Sequence, residues 1–235
     1  MQGSSLTFFQ HLEEARNRII KAIVFLIVVA CLVYQIIPSI LPLLVKPIGS
    51  LIFIHPSEAF ITKVSISFWG GLFFSSPFFL YQIWQFVSAG LKRKEKKYAA
   101  IFGIWSLILF IVGISFGYFL VFPIGLRFLI NFSDEFIRPM ITVSKYVSFL
   151  GRITFLFGAV FQFPLAILFL AKIGIVNIKS LVKRRREVIV AIFIAAAFFT
   201  PPDVITQILL AVPLLVLYEV SIVCAKFLKI KKGNS

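Results

Sequence analysis

The stretch Leu91–Pro123, LKRKEKKYAAIFGIWSLILFIVGISFGYFLVFP, decides the fold class of this chain. It opens with five bases and one acid, and from Tyr98 it continues for 26 residues without a charge. An α-helix needs about 20 apolar residues to cross the hydrocarbon core of a bilayer. A basic block beside such a run is typical of a helix that enters the membrane from the cytoplasmic surface. The stretch therefore predicts an integral membrane protein.

The rest of the chain repeats this alternation of basic blocks and apolar runs. Of its 235 residues, 60% are hydrophobic, and the mean hydropathy is +1.02. The formal net charge of +15 would suit a nucleic-acid-binding protein, but the bases stand in short blocks and not on one amphipathic face. Nucleic acid is therefore not expected as a partner, and the bases are interpreted as topology signals.

The apolar runs predict an all-α integral membrane protein with one six-helix domain over residues 1–235. The last two runs are short for a hydrocarbon core of about 30 Å, so the bilayer is expected to thin beside them. Prolines inside the second, fourth and sixth runs are expected to bend these helices into a concave bundle. The predicted spans are Ile19–Ile37, Ala59–Val87, Tyr98–Pro123, Tyr146–Ala171, Val188–Thr200 and Gln207–Ala225.

The positions of the bases predict the orientation of these six spans. Eighteen of the 24 Lys and Arg residues fall on the side of the N-terminus, which predicts that both termini are cytoplasmic. A bacterial inner membrane is expected, and a thylakoid or mitochondrial membrane is the alternative. On the other side, the loop Pro38–Glu58 contains four prolines and is expected to lie on the membrane surface as broken helical turns. The loop Ile124–Lys145 is expected to behave similarly.

Polar side chains at membrane depth are costly and often mark function. Gln162 lies near the middle of the fourth span, Glu219 lies inside the sixth, and Asp203 and Gln207 follow the fifth. One hypothesis is an interior site for a substrate or a partner helix. The alternative is hydrogen bonding between helices, worth about 0.6–2 kcal/mol per contact. For Gln162 both remain open, whereas for Glu219 function is favoured because a buried carboxylate needs a partner.

Enzyme classes find little support in the sequence. It contains no phosphate-binding GxxxxGK[ST] or GxGxxG loop and no HExxH or GxSxG motif, so an ATPase or an intramembrane hydrolase is disfavoured. Two cysteines and two histidines are too few and too separated for a metal centre, and no cofactor is expected. A proton-coupled small-solute transporter that uses Glu219 and Asp203 is the alternative function. The internal repeat common in such transporters is not evident.

Several motifs occur in order along the chain. They are HLEEARNRI (His11–Ile19), SSPFFLYQIWQFVSAGLKRKEKK (Ser75–Lys97), FGYFLVFPIGLRFL (Phe116–Leu129), FGAVFQFPLAI (Phe157–Ile167) and TPPDVITQILLAVPLLVLYEVSI (Thr200–Ile222). Together they resemble the TatC family, the membrane receptor of the twin-arginine protein translocase. The resemblance extends from about Phe9 to Lys226 and so covers nearly the whole chain.

The resemblance implies a receptor for folded proteins that carry a twin-arginine signal peptide. It also implies that the protein acts with TatA- and TatB-type single-span partners in a multimeric complex. Transport would be driven by the proton-motive force, and the protein would catalyse no bond-making reaction. The implied signal-peptide site contains Glu14, Glu95 and the aromatic Phe86. Arg16, in the N-terminal motif, is expected either to orient Glu14 or to pair locally.

The resemblance also implies a second site, where partner helices dock within the membrane. Its polar patch would comprise Gln162, Thr200 and Gln207, and Asp203 matches the acid of the outer turn. Gln162 stands where the family has a glutamate, so it keeps hydrogen-bonding capacity but cannot ionise. Either Glu219 compensates for the missing charge, or a polar amide suffices for docking.

Overall fold

The structure is a computed structural model, and it describes residues 8–45, 52, 54–91, 93–131, 141–175, 182–199 and 204–230. Within these ranges the protein is helical, apart from connecting turns and one isolated parallel bridge between Ile52 and Thr142. The helices are α1 (Phe8–Val45), α2 (Pro56–Ala89), α3 (Arg93–Phe116), α4 (Phe122–Ile130), α5 (Val143–Val160), α6 (Gln162–Ile173), α7 (Arg185–Phe199) and α8 (Val204–Ile230). The α-helical fold class is therefore as predicted.

Five helical segments of the described chain are long and apolar enough to cross a membrane. They are Gln10–Leu44, Pro56–Ala89, Tyr98–Phe128, Val143–Ile173 and Gln207–Lys226. The predicted fifth span corresponds to α7, which has only 15 residues and would extend about 22 Å at 1.5 Å per residue. The six-span count and the orientation of the termini therefore remain predictions.

The prediction that the last helix is also short was wrong. Helix α8 has 27 residues and passes through Pro213 and Glu219 to Ile230. The Glu219 carboxylate inside it has an ion-pair partner, Arg185 of α7. Membrane thinning beside the short α7 stays a prediction.

Helix α1 is longer than the first predicted span. The prolines Pro38 and Pro42 were expected to begin a loop, but α1 continues through both to Val45. Each proline removes one helical hydrogen bond, which a membrane helix tolerates where neighbouring groups compensate. The hydroxyl of Tyr146 donates to the Leu44 carbonyl over 3.2 Å, and this carbonyl belongs to the last turn, where no helical N–H reaches it. Residues 46–51 and 53 of the predicted loop lie outside the described chain.

The prolines inside the other spans are accommodated in different ways. Pro77 of α2 cannot donate to the Phe73 carbonyl, and the Ser76 hydroxyl donates to that oxygen instead, over 2.7 Å. Pro164 was expected to bend the fourth span, and the helix is interrupted three residues earlier, at Phe161, between α5 and α6. This position is consistent with the steric conflict between proline and the preceding turn.

The third span also passes the proline at which it was expected to end. A π-helical turn over Gly117–Val121 precedes Pro123, and the Phe122 N–H donates to the Gly117 carbonyl five residues earlier. The wider turn keeps the backbone bonded where Pro123 has no N–H, and α4 then continues to Ile130. The first part of the predicted loop Ile124–Lys145 is therefore helical, and its residues 132–140 lie outside the described chain.

Two compact units make up the chain, which was predicted as a single domain. One comprises Met1–Leu107 and Ser133–Phe155, and the other Ile108–Phe132 and Leu156–Ser235. In the first unit α1 packs on α2 so closely that a Cβ atom on Gly71 would lie 2.9 Å from the Ala30 Cβ. Close approach of backbones at small residues is the usual packing of membrane helices. In the second unit, α8 packs against α6 and α7.

Candidate functional site

A part-buried polar network joins the N-terminal part of α1 to the C-terminal part of α2. Glu14 Oε1 accepts hydrogen bonds from Arg18 Nε over 3.0 Å and from Arg18 Nη2 over 2.5 Å. Arg18 Nη1 donates to Gln82 Oε1 over 3.0 Å. The Glu14 and Arg18 side chains are 24% and 23% exposed, so the pair is shielded from water more than a surface ion pair. This network fixes the position of the Glu14 carboxylate.

Phe86 lies one helical turn after Gln82 on α2, beside an apolar groove between α1 and α2. The groove has a volume of about 350 Å³ and is lined by Ala15, Arg18, Ile19, Ala22, Ile23, Phe79, Gln82, Ile83 and Phe86. The Phe86 ring meets the His11 ring edge-on, with 6.5 Å between the centroids. The groove is thus lined mainly by apolar side chains, together with the Arg18 guanidinium that hydrogen-bonds to Glu14.

A second, polar cleft adjoins Glu14 on α1. It has a volume of about 430 Å³ and is lined by Gln10, Glu13, Glu14, Asn17, Arg18 and Lys21. Two acids and two bases therefore face the same cleft. A cationic ligand would meet the Glu14 carboxylate in competition with bases of this chain.

Arg16 was expected either to orient Glu14 or to pair locally, and the structure has the local pair. Arg16 Nη2 lies 3.4 Å from Glu13 Oε1, and both side chains are about two-thirds exposed. Arg18 and Gln82 were not among the residues predicted for this site. The spacing of Glu14 and Arg18, four residues apart on a helix, is a signal that could have found Arg18. Gln82 is 64 residues away from Arg18, so no local spacing indicates the contact, although it lies inside a quoted motif.

Three predicted site residues cannot be placed by their side chains. Glu95 belongs to the first turn of α3, and its side chain lies outside the described part of the structure. Thr200 and Asp203 lie outside the described residues altogether. The convergence of Glu14 and Glu95 on one ligand therefore stays a prediction.

Two amides of the predicted intramembrane site make backbone contacts in the second unit. Gln162 Nε2 donates to the Gly158 carbonyl over 3.5 Å, next to the helix interruption at Phe161. Gln207 Nε2 donates to the Phe193 carbonyl over 2.9 Å and so ties α8 to α7. The Gln207 contact is the hydrogen bond between helices that the structural alternative predicts, whereas the Gln162 contact is local, four residues back along the chain.

Glu219 has the partner that an acid inside a span requires. Its Oε2 accepts a hydrogen bond from Arg185 Nη2 over 2.8 Å, which joins the start of α7 to α8. The two side chains are 48% and 40% exposed. Because this carboxylate pairs with an arginine, the described residues give no contact that favours the proton-coupled transporter, and Asp203 lies outside them.

An apolar cavity of about 610 Å³ lies in the second unit, between α5, α6, α7 and α8. One face of α7 contributes Val188, Ala191, Ile192 and Ala195, and α8 contributes Leu210, Leu214, Leu217 and Tyr218. The described residues include no group of three His, Cys, Asp or Glu side chains that could hold a metal ion. Besides the Glu14 network, this apolar cavity is a further feature of the described chain that suits a ligand.

Comparison with known proteins identifies the family. A family model described as Sec-independent protein translocase protein (TatC) matches residues 10–213. A TatC protein of Carboxydothermus hydrogenoformans is 41% identical over 237 residues, covering 99% of this chain and 98% of that protein. A TatC protein of Desulforapulum autotrophicum is 38% identical, covering 97% of this chain and 87% of that protein.

The fold agrees with the sequence comparison. A crystal structure of the twin-arginine translocase receptor TatC, determined in the detergent DDM, superposes with a TM-score of 0.83 and is 32% identical. The match covers 92% of this chain and 99% of the crystallised one. Family model, relatives and structure all describe a protein translocase component and not an enzyme. The chain belongs to the TatC family of Sec-independent protein translocase proteins.

Proposed function

We propose that the protein binds twin-arginine signal peptides at the Glu14 network and thereby acts as the receptor of the translocase. The observation that carries the proposal is the position of a shielded carboxylate beside an apolar groove. A signal peptide supplies both matching parts, since its basic segment is followed by an apolar one. Phe86 lines the groove and offers an aromatic face to the apolar segment.

The chemistry of Glu14 favours a guanidinium ligand. A carboxylate accepts the planar fork of arginine through two parallel hydrogen bonds, which the ammonium of lysine cannot form. At an effective dielectric constant of about 20, an ion pair at 4 Å is worth roughly 4 kcal/mol before desolvation. Glu95 is proposed to supply the second carboxylate from the first turn of α3.

The wider assembly follows from family membership. We propose that TatA- and TatB-type single-span proteins are the partners and that their helices dock near Gln162, Thr200 and Gln207. The Gln162 and Gln207 amides are proposed to hydrogen-bond with polar side chains of these helices. The proposed location is the bacterial inner membrane, with both termini in the cytoplasm and transport driven by the proton-motive force.

Binding of a twin-arginine peptide to the purified full-length protein tests the receptor site. Glu14→Gln removes the charge but keeps the shape of the side chain, so binding should weaken by about tenfold or more, as expected for loss of a shielded charge pair. Glu13→Gln is the matched control, because Glu13 is exposed and pairs weakly, and it should change binding by less than about threefold. Equal binding to wild type and Glu14→Gln would contradict the site.

A photocrosslinking residue at position 95 tests the contribution of α3. A twin-arginine precursor should crosslink from this position, and the crosslink should be lost with a twin-lysine precursor. A crosslink of the same yield from both precursors would show that α3 lies near the signal peptide without recognising its arginines.

A further inference from the structure

We propose that Arg18 lowers the affinity of the Glu14 site for every cationic ligand by acting as an internal competitor for the carboxylate. A ligand must displace its guanidinium, so only a ligand with a strong contact to the carboxylate, such as an arginine, binds at low concentration. The inference rests on the proposed function, because the ligand considered is the paired-arginine segment of a signal peptide.

The geometry of Arg18 shows that it occupies the position a ligand needs. Its Nε and Nη2 both donate to Glu14 Oε1, and its Nη1 donates to Gln82 Oε1. All three nitrogens of the guanidinium are therefore engaged. A bidentate contact with a ligand arginine requires both oxygens of the Glu14 carboxylate. Such a contact forms only when Arg18 releases Oε1.

Arg18 is a strong competitor because it is held in place. It lies four residues from Glu14 on the same helix, so pairing costs no association entropy, and Gln82 anchors it from α2. The neighbouring pair of Arg16 and Glu13 has the same chemistry without the restraint. Its single contact is 3.4 Å long, and both side chains are largely exposed, so water and salt screen it.

A lysine ligand cannot overcome this competitor as well as an arginine ligand can. The ammonium group is more strongly hydrated than a guanidinium and cannot form two parallel bonds to a carboxylate. An incoming arginine gains two parallel hydrogen bonds to the carboxylate in place of the two that Arg18 gives up, whereas an incoming lysine does not. The cost of displacing Arg18 is the same for both ligands, so it weakens both equally and leaves the lysine ligand with the lower affinity.

Titration of the purified full-length protein with two signal peptides, identical except for Arg-Arg or Lys-Lys, tests the proposal. For Arg18→Gln we expect binding of both peptides to tighten by about the same factor, roughly tenfold, because the competitor is lost, and the Arg-Arg peptide to remain the tighter ligand. Arg16→Gln is the control for net charge, since it removes the same charge two residues away. It should change both affinities by the same small factor.

Gln82→Ala provides a second test that keeps every charge. It removes the anchor of Arg18, so binding of both peptides should tighten as for Arg18→Gln but by less, and this variant decides the case if Arg18→Gln does not accumulate. Weaker binding of both peptides to Arg18→Gln would overturn the proposal, because Arg18 would then position Glu14 and not compete for it. Identical behaviour of Arg18→Gln and Arg16→Gln would also overturn it. A wild-type protein that binds neither peptide would instead refute the proposed function, and this inference with it.

Discussion

At the scale of single residues, Gln207 illustrates how one amide can hold two helices of a membrane protein together. Its donor bonds to the Phe193 carbonyl over 2.9 Å, and Phe193 lies on α7 while Gln207 lies on α8. The bond is part-buried, and hydrogen bonds between membrane helices contribute to their association. Gln207 therefore contributes to the stability of the second unit whether or not it also meets a partner helix.

Replacing Gln207 with leucine should destabilise the protein by about 0.6–1.7 kcal/mol, the range measured for hydrogen bonds between membrane helices. The matched control is Gln85→Leu, because the Gln85 amide donates only to the exposed Tyr81 hydroxyl on the same helix. The control should stay within about 0.5 kcal/mol of wild type. Thermal unfolding in detergent measures both, and equal stabilities for the two variants would contradict the role of Gln207.

The residues of the candidate site differ in how far the sequence could predict them. Glu14 and Phe86 were predicted by motif, and the structure places both beside a groove of the first unit. Arg18 was missed although helical spacing alone puts it next to Glu14. Gln82 could not be found in that way, because its contact depends on how α1 packs against α2. Residue spacing predicts contacts between side chains on the same helix, but it does not predict contacts between side chains on different helices.

At the scale of elements, the packing of α1 on α2 determines the geometry of the Glu14 network. A Cβ on Gly71 would approach the Ala30 Cβ to 2.9 Å and the Ala30 Cα to 3.1 Å, so the two helices have no room for a larger residue there. Gln82 lies about three turns further along α2 and depends on the same interface to reach Arg18. A larger residue at position 71 should therefore alter the contact between Arg18 and Gln82.

Gly71→Val should push α1 and α2 apart and lower stability by about 1–3 kcal/mol, as overpacking does elsewhere. Binding of a twin-arginine peptide should weaken as well, because the Arg18–Gln82 contact would lengthen. Gly90→Ala is the control, since a Cβ there would meet nothing closer than 3.8 Å. Retained stability and retained peptide binding in Gly71→Val would show that the interface is more adaptable than the structure indicates.

The ends of the helices were predicted less well than their existence. Proline chemistry predicted that the first span ends before Pro38 and the third at Pro123, yet both helices continue. In the first case a tyrosine hydroxyl from α5 donates to a carbonyl in the last turn of α1. In the third span a π-helical turn keeps the backbone hydrogen-bonded next to the proline, which has no N–H. The sequence gives no local sign of either, because one depends on a distant residue and the other on a change of helical pitch.

At the scale of the whole molecule, the distribution of charge predicts how the protein lies in the membrane. Lys96 precedes the third span and Lys145 begins the fourth, and the side chains of both are exposed. If both termini are cytoplasmic, these two lysines lie on opposite sides of the bilayer. This arrangement would place the Glu14 end of α1 in the compartment from which a precursor arrives.

Single cysteines at positions 96 and 145 test this orientation. They are introduced into a variant in which Cys31 and Cys224, both exposed and free, are replaced by alanine. A membrane-impermeant maleimide added to intact spheroplasts should label position 145 and should label position 96 only after the membrane is broken. Labelling of position 96 in intact spheroplasts would reverse the predicted topology.

The hydrogen bond between Tyr146 and Leu44 has a consequence for the synthesis of the chain. The donor and the acceptor are 102 residues apart in sequence. A ribosome adding roughly 5–20 residues per second needs about 5–20 s to cover that distance. During this interval the last turn of α1, already weakened by Pro38 and Pro42, has emerged without the hydroxyl that later caps it. The proline-containing end of α1 is thus completed late, after α2 and α3 have been made, although it belongs to the first helix of the protein.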